Sequence, residues 1–263
     1  MTSLLKVENL SISFGGLKAV DDLSFEIEEG EVYGIIGPNG AGKTTAFNCI
    51  TQFYKPNSGK VLFKCKDEKV VDLVGKKPHE IIGLGMVRTF QNVELIVSLS
   101  IIENLLVGGH TAFKSSLIEQ ILRMPRARRE EREMREKAEQ VLDSLGLLQL
   151  KDMPALMQPY GIQKRIELGR TLMLSPKLII LDEPAAGLNE VETIALIEVV
   201  KDIAKKYHCG ILLIEHDMNF VSSLCRRICA ISFGKLLAIG TPAEIKANPV
   251  VQEAYLGTAG GEN

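Results

Sequence analysis

The chain has 263 residues, of which 46% are hydrophobic and 24% charged, and its formal net charge is −2. This length and ordinary composition suit one globular domain or a domain with a subdomain, and the balanced charge lacks the basic stripe that a nucleic-acid partner favours. The apolar runs are far shorter than a membrane span and the N-terminus lacks a signal-peptide pattern, which predicts a soluble, cytosolic chain.

Short strands separated by turns are predicted over the first ninety residues. Residues 4–14 and 23–30 alternate apolar and polar side chains, as half-buried antiparallel strands do. Residues 32–37, VYGIIG, are continuously apolar, which is typical of a strand covered on both faces, and a glycine-rich turn and a helix follow them. Two further strands are predicted at residues 58–64 and 86–91.

Helices are predicted from about residue 92 to residue 160. The helix at 100–109 begins with Ser100, and Glu103 three residues later completes a capping-box pattern. The helix at 127–146 carries charges of both signs, which indicates a solvated face. After residue 160 strands and helices alternate, and this alternation predicts an α/β core with a largely parallel sheet.

The cysteines are odd in number and lack paired metal-ligand spacing. We expect them to be buried as small apolar side chains in a reducing compartment, with a metal or disulfide role as the alternative. They are Cys49, Cys65, Cys209, Cys225 and Cys229.

A glycine-rich sequence, GPNGAGKTT, spans residues 37–45 and fits the pattern G-x-x-x-x-G-K-[ST]. Its glycines let backbone N–H groups turn toward one anion, and the following helix points its positive end at the same place. Lys43 is predicted to reach the β- and γ-phosphates of ATP, and Thr44 to bind Mg²⁺. A mere turn is the alternative, but a buried strand and a helix flank the pattern as a phosphate site requires. The predicted ATP ligands here are Gly37, Pro38, Asn39, Gly40, Ala41, Gly42, Lys43, Thr44 and Thr45.

Two adjacent carboxylates end the apolar run LIILDE at residues 178–183. A buried strand delivers Asp182 to its carboxyl end, where α/β sheets bind ligands, and Asp182 is predicted to hold the water shell of Mg²⁺. Glu183 is predicted to orient or deprotonate an attacking water. Capping of the next helix is the alternative for both residues.

The order of these motifs resembles the nucleotide-binding subunits of ATP-binding-cassette (ABC) transporters over essentially the whole chain. The resemblance implies that Phe14 stacks on adenine and that Val20 packs beneath it. It also implies that Gln91 binds Mg²⁺, takes part in catalysis and contacts the transmembrane subunits, and that His216 contacts the γ-phosphate in catalysis. Ordinary packing, an exposed strand end and a structural histidine are the alternatives for Phe14, Gln91 and His216.

The same resemblance implies a signature loop, which completes the ATP site of a second subunit and consists of Gln158, Pro159, Tyr160, Gly161 and Ile162. Pro159 stands where the family commonly has serine, and Asn189 where it commonly has aspartate. The hydrogen bond lost at Pro159 predicts a weakening of ATP-driven closure by about ten- to a hundred-fold, not its loss. Proline also suits the first turn of a helix, and Gly161 and the helix dipole are retained.

A P-loop NTPase core of the RecA type is the fold that the resemblance implies, with a mostly parallel sheet, an N-terminal antiparallel β subdomain and an inserted helical signalling subdomain. Residues 1–91 and 161–263 are predicted to form the ATP-binding core with its β subdomain. Residues 92–160 are predicted to form the helical subdomain, and residues 258–263 a disordered tail.

The implied activity is ATP hydrolysis that powers transport. Residues 83–108, 181–189 and 240–257 resemble the ATP-binding subunits of branched-chain (hydrophobic) amino-acid importers. That class implies a second ATPase subunit, two transmembrane permease subunits, an external solute-binding protein and a peripheral position on the cytoplasmic face of the cell membrane. The second ATPase subunit is a homologous chain or another copy of this one.

Several alternatives to this function stay open at this point. Urea, amides or another small solute are alternatives to amino acids, because solute choice lies on other chains. An exporter ATPase, a soluble ABC ATPase acting on ribosomes or DNA, and a catalytically inactive cassette are the alternatives to an importer ATPase.

Overall fold

The computed structural model describes residues 3–89, 94–110 and 124–259. Within these ranges the strands are β1 Ser3–Phe14, β2 Leu17–Glu28, β3 Val32–Ile36, β4 Ser58–Lys64, β5 Val70–Asp72, β6 Met86–Arg88, β7 Leu178–Asp182, β8 Gly210–Ile214, β9 Arg227–Ser232 and β10 Lys235–Gly240. The helices are α1 Lys43–Ile50, α2 Pro78–Leu84, α3 Ile101–Gly108, α4 Pro125–Ser144, α5 Tyr160–Leu172, α6 Glu190–Tyr207, α7 Met218–Leu224, α8 Pro242–Ala247 and α9 Pro249–Ala259, with 3₁₀ turns at Leu148–Leu150 and Ala155–Met157. None of the helices described is long and apolar enough to cross a membrane.

The chain divides into two compact units. The first comprises Met1–Arg88, Lys177–Ala185 and Ile203–Asn263, and it contains both β-sheets. The second comprises Thr89–Pro176 and Ala186–Asp202, and it holds α3, α4, α5 and most of α6. The division of the sequence at residues 91 and 161 stays a prediction of domain boundaries.

Four antiparallel strands form the first sheet, in the order β2-β1-β4-β5. A two-residue turn joins β1 to β2, because Phe14 pairs with Leu17 across Gly15 and Gly16. Burial alternates along both strands, as the sequence predicts. The second strand begins at Leu17, however, and not at residue 23.

Six strands form the second sheet, in the order β10-β9-β3-β8-β7-β6, and all pairs except β9–β10 are parallel. Every residue of β3, β7 and β8 is buried, as expected for strands covered on both faces. The predicted α/β fold with a mostly parallel sheet is therefore confirmed. The carboxyl ends of β3, β7 and β8 lie side by side, where open α/β sheets bind ligands.

Three predicted element boundaries change. The strand predicted at 86–91 pairs only over Met86–Arg88, and residues 90–93 lie outside the described ranges. The charged helix starts at Pro125, a favoured first-turn residue, and ends ahead of Gly146, whose φ is 66°. The last helix, α9, runs into the predicted disordered tail at 258–263, because Thr258 and Ala259 complete its final turn.

A hydrophobic cluster in the first unit packs both sheets and α1 together. Its wholly buried members include Leu5, Phe47, Phe63, Ile180 and Leu212. Full burial of such a side chain contributes about 1.5–3 kcal/mol. The cluster therefore fixes α1 behind the loop that precedes it.

The predicted capping box forms at the start of α3 in the second unit. The N–H of Ser100 donates to Oε2 of Glu103 at 2.8 Å, and the N–H of Glu103 donates to Oγ of Ser100 at 3.4 Å. Asn104 is wholly buried, and its side chain both donates to and accepts from the backbone of Ile96. Hydrogen bonds to backbone groups therefore hold the loop ahead of α3 in place.

Candidate active site

The loop between β3 and α1 contains two glycines that a larger residue cannot replace. A Cβ at Gly37 would lie 2.2 Å from the carbonyl oxygen of Ile231, and one at Gly42 would lie 2.4 Å from that of Ala19. Gly42 also has a φ of 98°, in the left-handed region that glycine adopts readily. Because α1 begins directly after Gly42, its N-terminal end faces the loop and favours an anion there.

Lys43, the first residue of α1, is 7% exposed, and its Nζ lies over this loop. Nζ donates to the carbonyl oxygens of Gly37 at 2.6 Å and of Pro38 at 3.0 Å. Burial lowers the pKa of Lys43, and the carboxylates of Glu183 and Asp182 oppose that shift. A partly desolvated ammonium group beside backbone N–H groups forms strong, charge-assisted hydrogen bonds to phosphate.

A cleft of about 390 Å³ opens beside the loop, in the first unit. Phe14 lies at this cleft, is half exposed, and packs edge-to-face on Tyr54 with 5.4 Å between ring centroids. Val20 is buried in the hydrophobic cluster, so its contact with adenine stays a prediction. The cleft is lined by Phe14, Leu17, Lys18, Ala19, Asn39, Gly40, Ala41, Gly42, Lys43, Thr44, Thr45, Glu183 and Phe233.

Asp182 ends β7 and is 6% exposed. Its Oδ2 accepts a hydrogen bond from Nη2 of Arg88 at 3.0 Å. Burial raises the pKa of Asp182, and the guanidinium of Arg88 opposes this shift. The carboxylate of Asp182 and the hydroxyl of Thr44 are the oxygen donors that Mg²⁺ prefers. Among the described residues no cluster of three His, Cys, Asp or Glu could hold a metal ion. Magnesium commonly takes one or two protein oxygens and completes its shell with phosphate and water, and Asp182 and Thr44 offer such oxygens.

Glu183 follows Asp182 and has a φ of 46°. Non-glycine residues adopt the left-handed region rarely, and such strain concentrates at functional sites. The N–H of Glu183 donates to the carbonyl oxygen of Ile214 at 2.9 Å, which anchors its backbone to β8. The Glu183 side chain lines the same cleft as Lys43, so a carboxylate and the phosphate loop share one space.

An exposed imidazole and a buried carboxylate follow β8. The side chain of His216 is 59% exposed, whereas that of Glu215 is 1% exposed. Oε1 of Glu215 accepts the N–H of Ala185 at 3.0 Å, and Oε2 accepts the N–H of His216 at 3.1 Å. Burial raises the pKa of Glu215, and these two N–H groups oppose the shift. The contact of His216 with a γ-phosphate stays a prediction.

The signature loop lies in the second unit, where α5 begins at Tyr160. Pro159 is the N-cap of this helix, with a φ of −50°. It therefore lies one residue before the first turn, in which the sequence had suggested that it would lie. Its carbonyl oxygen accepts the N–H of Ile162 at 2.9 Å, and Gln158 donates from its side chain to the carbonyl oxygen of Pro154 at 3.2 Å. The loop is therefore a regular helix start that lacks a side-chain cap.

Gly161 in this loop is bound to the start of α6. Its N–H donates to Oε1 of Glu192 at 3.1 Å, and Oε2 of Glu192 accepts the N–H of Asn189 at 3.1 Å. Asn189 in turn accepts the N–H of Glu192 at 3.0 Å with its side chain. Asn189 thus serves as a helix cap in this subunit, which the aspartate common in the family would also do.

Sequence reasoning missed several residues that the structure brings to the site. Three residues that follow the turn at Gly15 and Gly16 line the cleft, namely Leu17, Lys18 and Ala19. The pair of glycines was a usable signal in the sequence, because a two-residue turn there places the following strand beside Phe14. Arg88, Glu215 and Phe233 gave no local signal. Gln91, predicted to bind Mg²⁺, lies outside the described residues.

Family comparisons match the chain over most of its length. The family described as "ABC transporter" matches residues 20–186, and the one described as "Branched-chain amino acid ATP-binding cassette transporter" matches residues 235–260. The high-affinity branched-chain amino acid transport ATP-binding protein LivG of Escherichia coli K12 is 43% identical over 97% of this chain and 98% of its own. The corresponding protein BraF of Pseudomonas aeruginosa is 42% identical over the same shares.

Solved structures of ATP-binding cassettes have the same fold. The ADP conformation of MJ1267, an ATP-binding cassette of an ABC transporter, superposes with a TM-score of 0.83 at 34% identity, over 98% of this chain and all of the other. CbiO1 of Clostridium perfringens, part of the ABC transporter complex CbiONQ, gives a TM-score of 0.80 at 27% identity, over 98% of this chain and all of its own. The chain therefore belongs to the ABC transporter family, and nearly all of it is similar to that family's branched-chain amino acid ATP-binding proteins.

Proposed function

We propose that this chain is the ATP-hydrolysing subunit of an importer for branched-chain or other hydrophobic amino acids. ATP hydrolysis coupled to transport is the activity of the family to which it belongs. The amino-acid solute is supported by the names of the relatives that match almost the whole chain, and by the match at residues 235–260.

One observation carries the assignment of roles: Lys43 and Glu183 line the same cleft. Lys43 and the backbone N–H groups of residues 37–45 bind the phosphates of ATP. Glu183 accepts a proton from the attacking water, or orients it. His216 stabilises the γ-phosphate by donating a hydrogen bond, and Phe14 stacks on adenine.

The site also suits a magnesium ion. Thr44 and Asp182 would hold Mg²⁺ through oxygen atoms, with Gln91 as a further ligand. When bound, the ion neutralises the charge that develops on the phosphates. The buried position of Asp182 and its bond to Arg88 keep its carboxylate in one orientation.

Two such subunits meet so that residues 158–162 of one complete the cleft of the other. The second subunit is a homologous chain or another copy of this one. Gln91 and the helical subdomain at 92–160 contact two permease subunits on the cytoplasmic face of the membrane, and an external binding protein delivers the solute. ATP-driven closure of the pair is thereby transmitted to the permease.

The test is the ATPase activity of the complex co-purified with its permease subunits, with candidate solutes loaded on the binding protein. Leucine, isoleucine or valine should stimulate hydrolysis. Glu183→Gln should abolish hydrolysis and keep ATP binding, because Lys43 and the loop glycines are untouched. Stimulation by urea or amides alone would contradict the proposed solute, and full activity of Glu183→Gln would contradict the catalytic role.

A further inference from the structure

We propose that Glu215 is a positioning residue for ATP hydrolysis, which holds the loop after Glu183 and the backbone of His216 with one buried carboxylate. The inference rests on the proposed function, because it concerns the placement of the two proposed catalytic groups. Neither the position nor the buried state of Glu215 follows from the motifs of the sequence.

The carboxylate joins two segments that come from different strands. Glu183 and Ala185 follow β7, whereas Glu215 and His216 follow β8. One carboxylate oxygen accepts from Ala185 and the other from His216, at 3.0 and 3.1 Å. The two segments are therefore fixed to a shared acceptor beyond the last pairing of their strands.

The hydrogen bond that holds Ala185 also restricts the backbone of Glu183, because a single rigid residue lies between them. That residue is Pro184, whose ring fixes φ and so leaves little freedom between the two. The backbone of Glu183 is already in the left-handed region, at a φ of 46°. A loop with a strained residue keeps its conformation only when neighbouring contacts hold it, and Glu215 supplies such a contact.

Stability alone does not explain an acid at this position. Burying a charged carboxylate costs free energy unless it is fully paired, and well-packed apolar residues often stabilise as much. In the part of the chain that the structure describes, the carboxylate of Glu215 also faces the imidazole of His216, with Nδ1 3.5 Å from Oε2. Orientation of two loops and one ring accounts for the carboxylate.

The experiment compares Glu215→Gln and Glu215→Ala in the complex with its permease subunits. The alanine variant should lower kcat about ten- to a hundred-fold, because both charge-assisted bonds are lost. The glutamine variant should lower it about three- to ten-fold, because the amide oxygen still accepts one N–H while the NH₂ faces the other donor. The Kd of a fluorescent ATP analogue for the isolated chain should change less than about two-fold. A residue that positions the catalytic groups stabilises the transition state of hydrolysis and not the bound ground state, so its loss lowers kcat and leaves nucleotide affinity unchanged. Amide hydrogen exchange should accelerate at Ala185 and His216 but not at residues 37–45.

A matched control is Glu31→Gln. Glu31 is also buried, at 4% exposure, and binds Arg227 through both carboxylate oxygens at 2.7 Å, but it precedes β3 at the opposite end of the sheet. This variant should lower the thermal stability and leave kcat unchanged.

Four outcomes would overturn the proposal. They are a normal kcat in both Glu215 variants, a Kd that rises in parallel with the loss of kcat, unchanged exchange at Ala185 and His216, and an equal loss of kcat in Glu31→Gln. If Glu215→Ala does not fold, Glu215→Gln decides, since it is nearly isosteric. A wild-type complex without ATPase activity would instead contradict the proposed function.

Discussion

Arg88 donates a hydrogen bond from Nη2 to Oδ2 of Asp182 over 3.0 Å, and this bond ties the end of β6 to the end of β7. Nη1 of Arg88 donates to the side chain of Asn48 at 2.9 Å, and the guanidinium stacks on the ring of Phe47, 4.0 Å from its centroid. A planar guanidinium with three such contacts has one orientation, and it imposes one on the carboxylate. Asp182 is therefore oriented before any metal binds.

We predict that Arg88→Met weakens the Mg²⁺-dependent part of nucleotide binding. Without Arg88 the carboxylate of Asp182 becomes mobile, and its pKa, already raised by burial, rises further. The ratio of the nucleotide affinities with and without Mg²⁺ should fall about ten-fold, which is the effect of one lost charge-assisted hydrogen bond. The affinity measured in EDTA should stay within about two-fold of the wild-type value. Titration of a fluorescent ATP analogue with and without Mg²⁺ measures both affinities.

Arg227→Met is the control for this variant, because it removes another arginine–carboxylate pair of the same unit, the one with Glu31. It should destabilise the protein without changing the Mg²⁺ dependence. A normal Mg²⁺ dependence in Arg88→Met would contradict the prediction.

We predict a non-additive effect of substitutions at Gly161 and Glu192. A Cβ at Gly161 would lie 2.8 Å from Oε1 of Glu192, so the Glu192 side chain would have to move and give up its bonds to the N–H groups of Gly161 and Asn189. Gly161→Ala should therefore lower the melting temperature, even though alanine is in general a better helix former than glycine. In a Glu192→Ala background the clash is absent, so Gly161→Ala should be neutral or stabilising. Thermal unfolding of the four proteins tests this, and additive changes would count against it.

Local sequence patterns predicted the parallel sheet and the phosphate loop. The apolar runs at residues 32–37 and 178–181 correspond to the strands β3 and β7, because strands covered on both faces need mostly apolar side chains. The glycines at 37 and 42 were predicted to turn backbone N–H groups toward an anion, and the structure adds that their backbone neighbours leave no space for a side chain. Such requirements act over a few residues and can be detected in the sequence.

The contacts that orient the site could not be predicted in this way. Arg88 and Asp182 are separated by 94 residues, Ala185 and Glu215 by 30, and Gly161 and Glu192 by 31. Whether such residues meet depends on the order of strands in the sheet and on how helices pack, which periodicity and composition do not determine. A charged residue at a strand end has the same local pattern whether its side chain turns inward or outward.

All five cysteines are free and buried, so we predict that none is alkylated in the native protein. Burial raises the pKa of the Cys49 and Cys209 thiols to about 11 and that of Cys229 to about 12. The reactive species is the thiolate, and an upward shift lowers its fraction at pH 8 below that of an ordinary thiol with a pKa of about 8.5. Iodoacetamide at pH 8 should give an unmodified mass before unfolding and five adducts after it. Rapid labelling of the folded chain at this pH would disagree with the burial of these thiols.

The last prediction concerns Pro159, the N-cap of α5. Its backbone nitrogen carries no hydrogen and its side chain makes no capping hydrogen bond. A serine at an N-cap accepts a backbone N–H of the first turn and stabilises a helix by about 1 kcal/mol over a residue that cannot. Pro159→Ser should therefore raise the melting temperature slightly.

The same variant tests whether this loop completes a partner's ATP site. A serine hydroxyl also supplies a phosphate donor that proline lacks, so Pro159→Ser should raise the ATPase rate of the assembled complex. ATP binding by the isolated chain should not change, because the cleft of the first unit is lined by other residues. Pro159→Ala is the control, since alanine restores the backbone N–H but adds no hydroxyl, either for the helix cap or for the phosphate. An assembled rate equal to that of the wild type in Pro159→Ser would contradict the predicted weakening of ATP-driven closure by proline at this position.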